Sequence, residues 1–249
     1  MNATEILHAV SHRELPPPTT PWVMAQTWLN LLFAHYPLSP TELRPLIPSI
    51  LDIDTFEQQA WVGIVPFQMR DVHPRWLPSV NGISHFPELN VRTYVTYKGY
   101  PGVYFFSLEA SNPLAVAIAR SVFHLPYFNA RMSCESTAGT WYYSSHRTHD
   151  NAMPADYLAK YRPTGPVDYA HPHTIAHWLT ERYSLYTIFH NHLYRGEIHH
   201  APWPLQPAEL ETLKDTMALS HGIHLPDTQP LLHFSQRQDV LIWSLHRLI

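Results

Sequence analysis

The sequence predicts an α+β fold, one domain built around a large sheet or barrel with a few helices set into it. Three observations carry this expectation. Aromatic and β-branched runs separated by turn residues recur along the 249 residues; the clearest is "NVRTYVTYKGYPGVYFFSLEA", where two such runs flank "KGYPG". Proline is abundant (24) and glycine scarce (8), which suits rigid loops and strand ends. Helix signals are confined to a few short stretches.

Taken in order, residues 1–20 read as a flexible arm ending in the extended spacer "PPPTTP", and no linker or repeat divides residues 21–249, a single domain. "MAQTWLNLLFAHYPL" (24–38) fits either a helix or a buried strand. In "SPTELRPLIP", Ser39 as N-cap, Pro40 at the first helical position and Pro48 as a stop predict a short helix. "LDIDTF" and "AWVGIVPFQM" read as strands around "EQQ". Central strands are expected over 60–69, 86–97, 102–110 and 139–147. Asn112 and Pro113 open a helix over 113–123, followed by "LPYFNARMSCES" as a strand. Residues 148–172 are Pro-rich and irregular. "HTIAHWLTERYSLYT" starts helical and turns extended near Tyr183, "HLYRGEIHHAPWPL" is extended, and the tail from Leu231 offers a last strand pair. A second helix is expected over 207–220, with Pro207 near its start and Gly222 just past its end.

The composition narrows the function. A hydrophobic fraction of 45% with 14% charged residues describes a folded core. A net charge of −4 and a pI near 6.5 leave no basic footprint for nucleic acid or for an anionic membrane. The N-terminus lacks the basic start and apolar run of a secretory signal, and no apolar run reaches the roughly eighteen residues of a membrane span. The single cysteine, Cys134, excludes an internal disulfide and fits a reducing, cytoplasmic setting. No Gly-rich phosphate loop, dinucleotide fingerprint or "GxSxG" is present, so no cofactor is expected.

Two polar constellations stand out. Along "FPELNVRTYV", alternation puts Leu89, Val91, Thr93 and Val95 on one face and Phe86, Glu88, Asn90, Arg92 and Tyr94 on the other. Glu88 and Arg92 lie about 13 Å apart at ~3.3 Å per residue, too far for a direct pair. Two readings stay open: separate salt bridges at a sheet edge, or a pocket wall. In "LYRGEIHH", Arg195, Glu197 and His199 share a face, where a carboxylate between a guanidinium and an imidazole would serve as a base, against the alternative of an exposed ion-pair ladder. Nineteen histidines raise the question of metal. His173 and His177, four apart, and His190 and His192, two apart, lack the Glu and further ligands of a zinc site, and none is assigned. Cys134 has no nucleophile signature around it, and Arg147, at a strand end, is expected to be dispensable.

The strings "TWLNLLFAHYPL", "ELRPLIP", "DTFEQQAWVGIVPFQM", "FPELNVRTYV", "PGVYFFSLEA", "LPYFNARM", "WLTERYSLYT" and "LYRGEIHHAPWPL" together resemble the YqjF-like family of uncharacterised bacterial proteins, from about Ala25 to Leu205. That family is similar to a branch of the acetoacetate decarboxylase-like superfamily. The resemblance implies a predominantly antiparallel β-barrel, or strongly curved sheet, with an internal ligand cavity and a few peripheral helices. It implies no known activity. The superfamily's decarboxylases form an imine on a buried lysine that follows a Pro step in the strand after a helix. Here the matching stretch, "LPYFNARM", carries Tyr127 after Pro126 and no lysine. Lys98 falls in a hairpin turn, Lys160 in a Pro-rich loop and Lys214 on a polar helix face. Glu88 falls on the strand where the decarboxylases place a pocket glutamate, which favours the pocket reading.

Three functions follow as expectations. The first is a lysine-independent enzyme acting on a small carboxylate or keto acid, with Glu88 or Glu197 moving a proton and Asn90, Arg92, Tyr94, Tyr127, Arg195 and His199 holding the substrate. An arginine fork suits a planar carboxylate. The second is a non-catalytic binder of such a ligand on the same fold. The third is a metal-dependent hydrolase using histidines. The expected partner is a small molecule, with neither nucleic acid nor membrane, and a homo-oligomer is compatible with the sequence.

Overall fold

Period-two burial decides the ambiguous first run. Leu32, Ala34 and Tyr36 alternate with Leu31, Phe33 and His35, every one of them buried, so Met24–Leu38 is strand β1, covered on both faces. The computed structural model describes residues 1–79 and 84–249. Helix α1 (Ala3–His8) precedes β1, closed at its start by an Asn2–Glu5 capping box. Its Ile6 is buried against Leu241 and Trp243, so the segment expected as a loose arm is docked at this point. Ser39 caps α2 (Pro40–Leu43), and a 3₁₀ turn carries the chain on to Leu46.

Strands β2 (Asp52–Ile53), β3 (Ala60–Pro74), β4 (Phe86–Tyr97) and β5 (Tyr100–Ala110) follow. Lys98 and Gly99, both at positive φ, make the tight β4–β5 turn. Asn112 caps α3 (Pro113–Val122) through the N–H groups of Leu114 and Ala115. Next come β6 (Tyr127–Thr137), β7 (Thr140–Arg147), β8 (Asp156–Pro163), β9 (Asp168–Tyr169), α4 (Ile175–Thr180), β10 (Ser184–Phe189), β11 (His192–His200), β12 (Pro204–Leu205), β13 (Ala208–Asp215), β14 (Leu231–Ile242) and β15 (His246–Arg247).

Two expectations are corrected here. The stretch 148–172, expected to be irregular, contains β8, whose Tyr157, Ala159 and Tyr161 are buried at alternate positions. The helix expected over 207–220 is largely β13, which pairs antiparallel with β8. Glu, Leu and Lys favour a helix on propensity, but cross-strand partners override it. Glu209 lies opposite Arg162 and Glu211 opposite Lys160, each pair joined by a 2.8 Å ion pair. Only Leu219–His221 is helical, a 3₁₀ turn ended by left-handed Gly222.

Among the described residues thirteen strands join in one sheet. It is mixed where a predominantly antiparallel sheet was expected: β5 pairs parallel with β6 and with β10. The β5–β6 case follows from α3, because a crossover helix returns the chain in the same direction. The pairs β5–β10–β11–β14–β1–β3–β4 come back to β5, so this part of the sheet closes a circuit. The arm β6–β7–β8–β13 continues outside it. Between arm and circuit lies one apolar layer, where Leu32, Val62, Ile64, Leu89, Val91 and Phe234 of the circuit meet Tyr143, Tyr157 and Tyr161 of the arm.

Bulges set what faces the inside of the circuit. Odd-numbered Leu31 and Phe33 and even-numbered Met24, Gln26 and Trp28 line the same space, because Asn30 at φ 54° inserts a residue and reverses the alternation. Asp71 at φ 52° does the same on β3, between Val65, Phe67 and Met69 and the later Val72 and Pro74. A register shift between Val91 and Arg92 lets Val103, Phe105 and Leu108 of β5 share that side.

Candidate functional site

Inside the circuit is a cavity of about 660 Å³. Its walls are mostly apolar, from Trp28, Leu31, Phe33, Val65, Phe67, Met69, Phe105, Leu108 and Trp203. Leu114 and Ile118 of α3 also line it and are about half exposed (51% and 48%), which places its mouth beside that helix.

Three polar groups enter from one strand. Phe86, Glu88, Asn90 and Arg92 of β4, spaced by two, all face the cavity, while Leu89 and Val91 pack into the outer apolar layer. Glu88 is 2% exposed and accepts a 2.8 Å hydrogen bond from Tyr127 Oη, contributed by β6. Burial pushes the Glu88 carboxyl up to about 8, with Tyr127 lowering it and the nearby Glu109 charge raising it. The backbone carbonyl of Glu88 accepts from Tyr143 Oη at 2.7 Å, which fixes this point of β4 from behind. Asn90 Oδ1 is buried without a hydrogen-bond partner.

Arg92 is held by a relay. Its Nη2 donates to Tyr94 Oη at 3.3 Å, and that hydroxyl lies 2.6 Å from His35 Nε2. Burial, then Arg92, then His233 depress His35 well below the ordinary imidazole value, so the ring is neutral and accepts the Tyr94 proton. Gly63 makes room for this ring: a Cβ there would stand 3.2 Å from His35 Cδ2. The guanidinium lies 5.2 Å from the Phe33 ring centre, and its Nε has no partner. Among the described residues no acid forms an ion pair with Arg92. Tyr94 is thus placed behind Arg92, packed on Trp178, and is not itself a wall residue.

The second constellation lies elsewhere. On β11 it is Ile198 and His200 that line the cavity, so Arg195, Glu197 and His199, of the other parity, point away from it. Glu197 accepts from Tyr100 Oη at 3.0 Å and lies 3.8 Å from Arg195, whose guanidinium stacks 4.1 Å from the Tyr100 ring centre. His199 bonds the Ile6 carbonyl and Arg13, and burial brings its imidazole down to about 4. Glu197 and Arg195, expected at the substrate site, thus do not join Glu88 and Arg92, whose partners are Tyr127 and Tyr94.

Among the polar wall residues that sequence reasoning missed are His200 and Arg182. The signal for His200 was its place opposite Glu197 in the alternation of β11; Arg182 follows α4 directly and carried none. His200 is fully buried and burial brings it down to about 3, which keeps it neutral. Arg182 pairs with Asp54 at 2.6 Å. Arg147, expected to be dispensable, is buried and ion-paired with Glu109. None of the three lysines lines the cavity: Lys98 is in the β4–β5 turn, Lys160 pairs with Glu211 and Lys214 with Asp156. Among the described residues no group of three or more His, Cys, Asp or Glu is placed to hold a metal ion, and no helix is long and apolar enough to cross a membrane.

Solved structures share the fold. An enduracididine biosynthesis enzyme, MppR, complexed with pyruvate superimposes with a TM-score of 0.63 at 11% identity, over 95% of this chain and 93% of that one. Acetoacetate decarboxylase from Legionella pneumophila gives 0.63 at 16% identity, over 98% and 95%. In sequence, the chain is 49% identical over 226 residues to the uncharacterized protein YqjF of Bacillus subtilis (strain 168), covering 91% of this chain and 93% of the relative. Residues 25–239 match the DUF2071 model, described as an uncharacterized conserved protein, and the chain belongs to that family.

Proposed function

We propose that the closed circuit of strands works as a barrel around a ligand site, and that the ligand is a small organic carboxylate with an apolar body. The observation that carries this reading is Arg92: a guanidinium without an acidic partner on the wall of a mostly apolar cavity. A half-buried guanidinium on an apolar wall favours an anion, and its planar fork matches a carboxylate. The cavity falls within the ~300–1,000 Å³ typical of small-molecule sites, and its apolar walls ask for more carbon than an acetate or pyruvate brings. A neighbour of this fold was solved with pyruvate, which supports a carboxylate class.

Farther along the same cavity wall, Glu88 is protonated at neutral pH and is therefore a proton donor toward the ligand's body, with Tyr127 as its hydrogen-bond partner. Any turnover proceeds by proton transfer from this pair without an imine, because no lysine reaches the cavity. The pair also serves a binder, donating to a ligand carbonyl.

The test is calorimetric titration with straight-chain carboxylates and 2-keto acids of two to ten carbons. Affinity should rise with chain length, by up to ~0.8 kcal/mol per buried methylene, and fall at least tenfold in Arg92→Leu. Equal affinity of the uncharged amides, or unchanged binding in Arg92→Leu, would refute the carboxylate site. Product analysis of the tightest ligand then separates an enzyme from a binder.

A further inference from the structure

A second compartment, of about 440 Å³, lies behind the first, and Arg182 and Ser184 line both. Its other walls come from the His12–Leu15 segment, the β4–β5 turn and α4. It is more polar than the main cavity.

Arg182 is the group at the partition. It is 7% exposed, its Nη1 donates to Asp54 and its Nε to the Trp178 carbonyl, and its face lies 4.2 Å from the Trp178 ring centre. Its Nη2 is buried with no partner, a donor left unsatisfied unless something accepts from it. The acceptors around it are committed. Asp54 already holds Nη1, and Glu181 accepts from Tyr183 Oη and from the Trp203 N–H. Glu14 lines the same space but is exposed to water. The remaining wall brings Arg13, which donates to the Leu15 and Ile198 carbonyls, and the rings of His173 and His177.

We infer that this compartment is a binding site for a small oxyanion, a carboxylate or a phosphate, seated on Arg182 Nη2. It is separate from the carboxylate site at Arg92, which does not line this space. The site would hold a second substrate or an anionic effector, one guanidinium away from the ligand in the main cavity.

The experiment titrates the full chain with inorganic phosphate and with acetate at constant ionic strength, and locates the anion in crystals soaked in bromide. Binding of either anion below about 10 mM, with bromide at Arg182 on the polar side, is expected. Arg182→Lys keeps a charge for Asp54 but lacks the second nitrogen, and should weaken binding at least tenfold. His177→Trp, which fills the space from a partly exposed position on α4, should abolish it even if Arg182→Lys fails to fold. Arg92→Leu should leave phosphate binding unchanged, acetate being shared with the Arg92 site. The inference is overturned if neither anion binds, if bromide is found only at Arg92, or if phosphate binding survives His177→Trp.

Discussion

Tyr127 Oη donates a 2.8 Å hydrogen bond to Glu88 Oε2 across the cavity wall, and both side chains are removed from solvent. The bond lowers the Glu88 carboxyl, but burial outweighs it and leaves the group near 8. A phenol beside an acid kept neutral at physiological pH is a proton store. It also makes Glu88 a sensor of pH in the folding equilibrium.

The sign follows from linkage. The unfolded chain releases the Glu88 proton near the ordinary value of 4.5, while the native protein keeps it to about 8. Between those values the native state binds more protons, so stability falls as pH rises, by up to about 1.4 kcal/mol per pH unit for this group. Below 4.5 the contribution is complete, and above 8 the loss is finished. Glu88→Gln should therefore show a shallower decline than wild type from pH 4.5 to 8, measured by urea unfolding at several pH values. Parallel curves would mean that Glu88 is ionised in the native protein.

Tyr127→Phe removes the donor and leaves a buried acceptor unmatched. The expected cost is about 1–3 kcal/mol in urea unfolding at pH 6. Carboxyl-carbon NMR should show the Glu88 midpoint moving upward, because the hydrogen bond that lowered it is gone. A midpoint that moves down would place another donor at this carboxyl.

Period-two alternation was enough to group Glu88, Asn90 and Arg92, because β4 runs without an inserted residue across them. The same rule grouped Arg195, Glu197 and His199 but did not say which face of β11 looks inward. That depends on β10 and β14 beside it, not on the strand's own residues. The bulges at Asn30 and Asp71 were harder to read. Asn and Asp tolerate positive φ, yet most stand in ordinary backbone, so the residue type alone does not mark where the alternation reverses. The helix expected over 207–220 failed for a tertiary reason: the partners of Glu209 and Glu211 lie some fifty residues away, on β8. Arg182 and Asp54 are likewise brought together only by the fold.

Imine chemistry is expected to be absent. Lys160 and Lys214 are engaged by Glu211 and Asp156, and Lys98 sits at the tip of a turn. None has the apolar burial that lowers an amine into the reactive range. Borohydride treatment with acetoacetate or pyruvate should leave the intact mass unchanged. A stoichiometric adduct on any of the three would reopen the lysine mechanism.

Glu197→Gln separates the two constellations. Tyr100 can still donate to the amide oxygen, and the side chain lies outside the cavity wall. Carboxylate binding in the main cavity should stay within twofold of wild type, against at least tenfold loss in Arg92→Leu. A comparable loss in both would return "LYRGEIHH" to the site.

Arg147 should prove indispensable for stability. Its guanidinium meets the Glu109 carboxylate through Nε and Nη2 and donates to the Met153 carbonyl through Nη1, while its face lies 4.2 Å from the Phe128 ring centre. Ser107 Oγ donates to the second Glu109 oxygen at 3.1 Å. Burial raises Glu109 and Arg147 opposes it, so the carboxylate is held in the protein by this one cation. Arg147→Ala would strand a buried acid and should cost about 3–5 kcal/mol. The double variant Arg147→Met/Glu109→Leu removes both charges and fills both volumes, and should recover much of that loss. Equilibrium unfolding of both variants decides it: a single variant as stable as wild type would show that water or another group replaces the arginine.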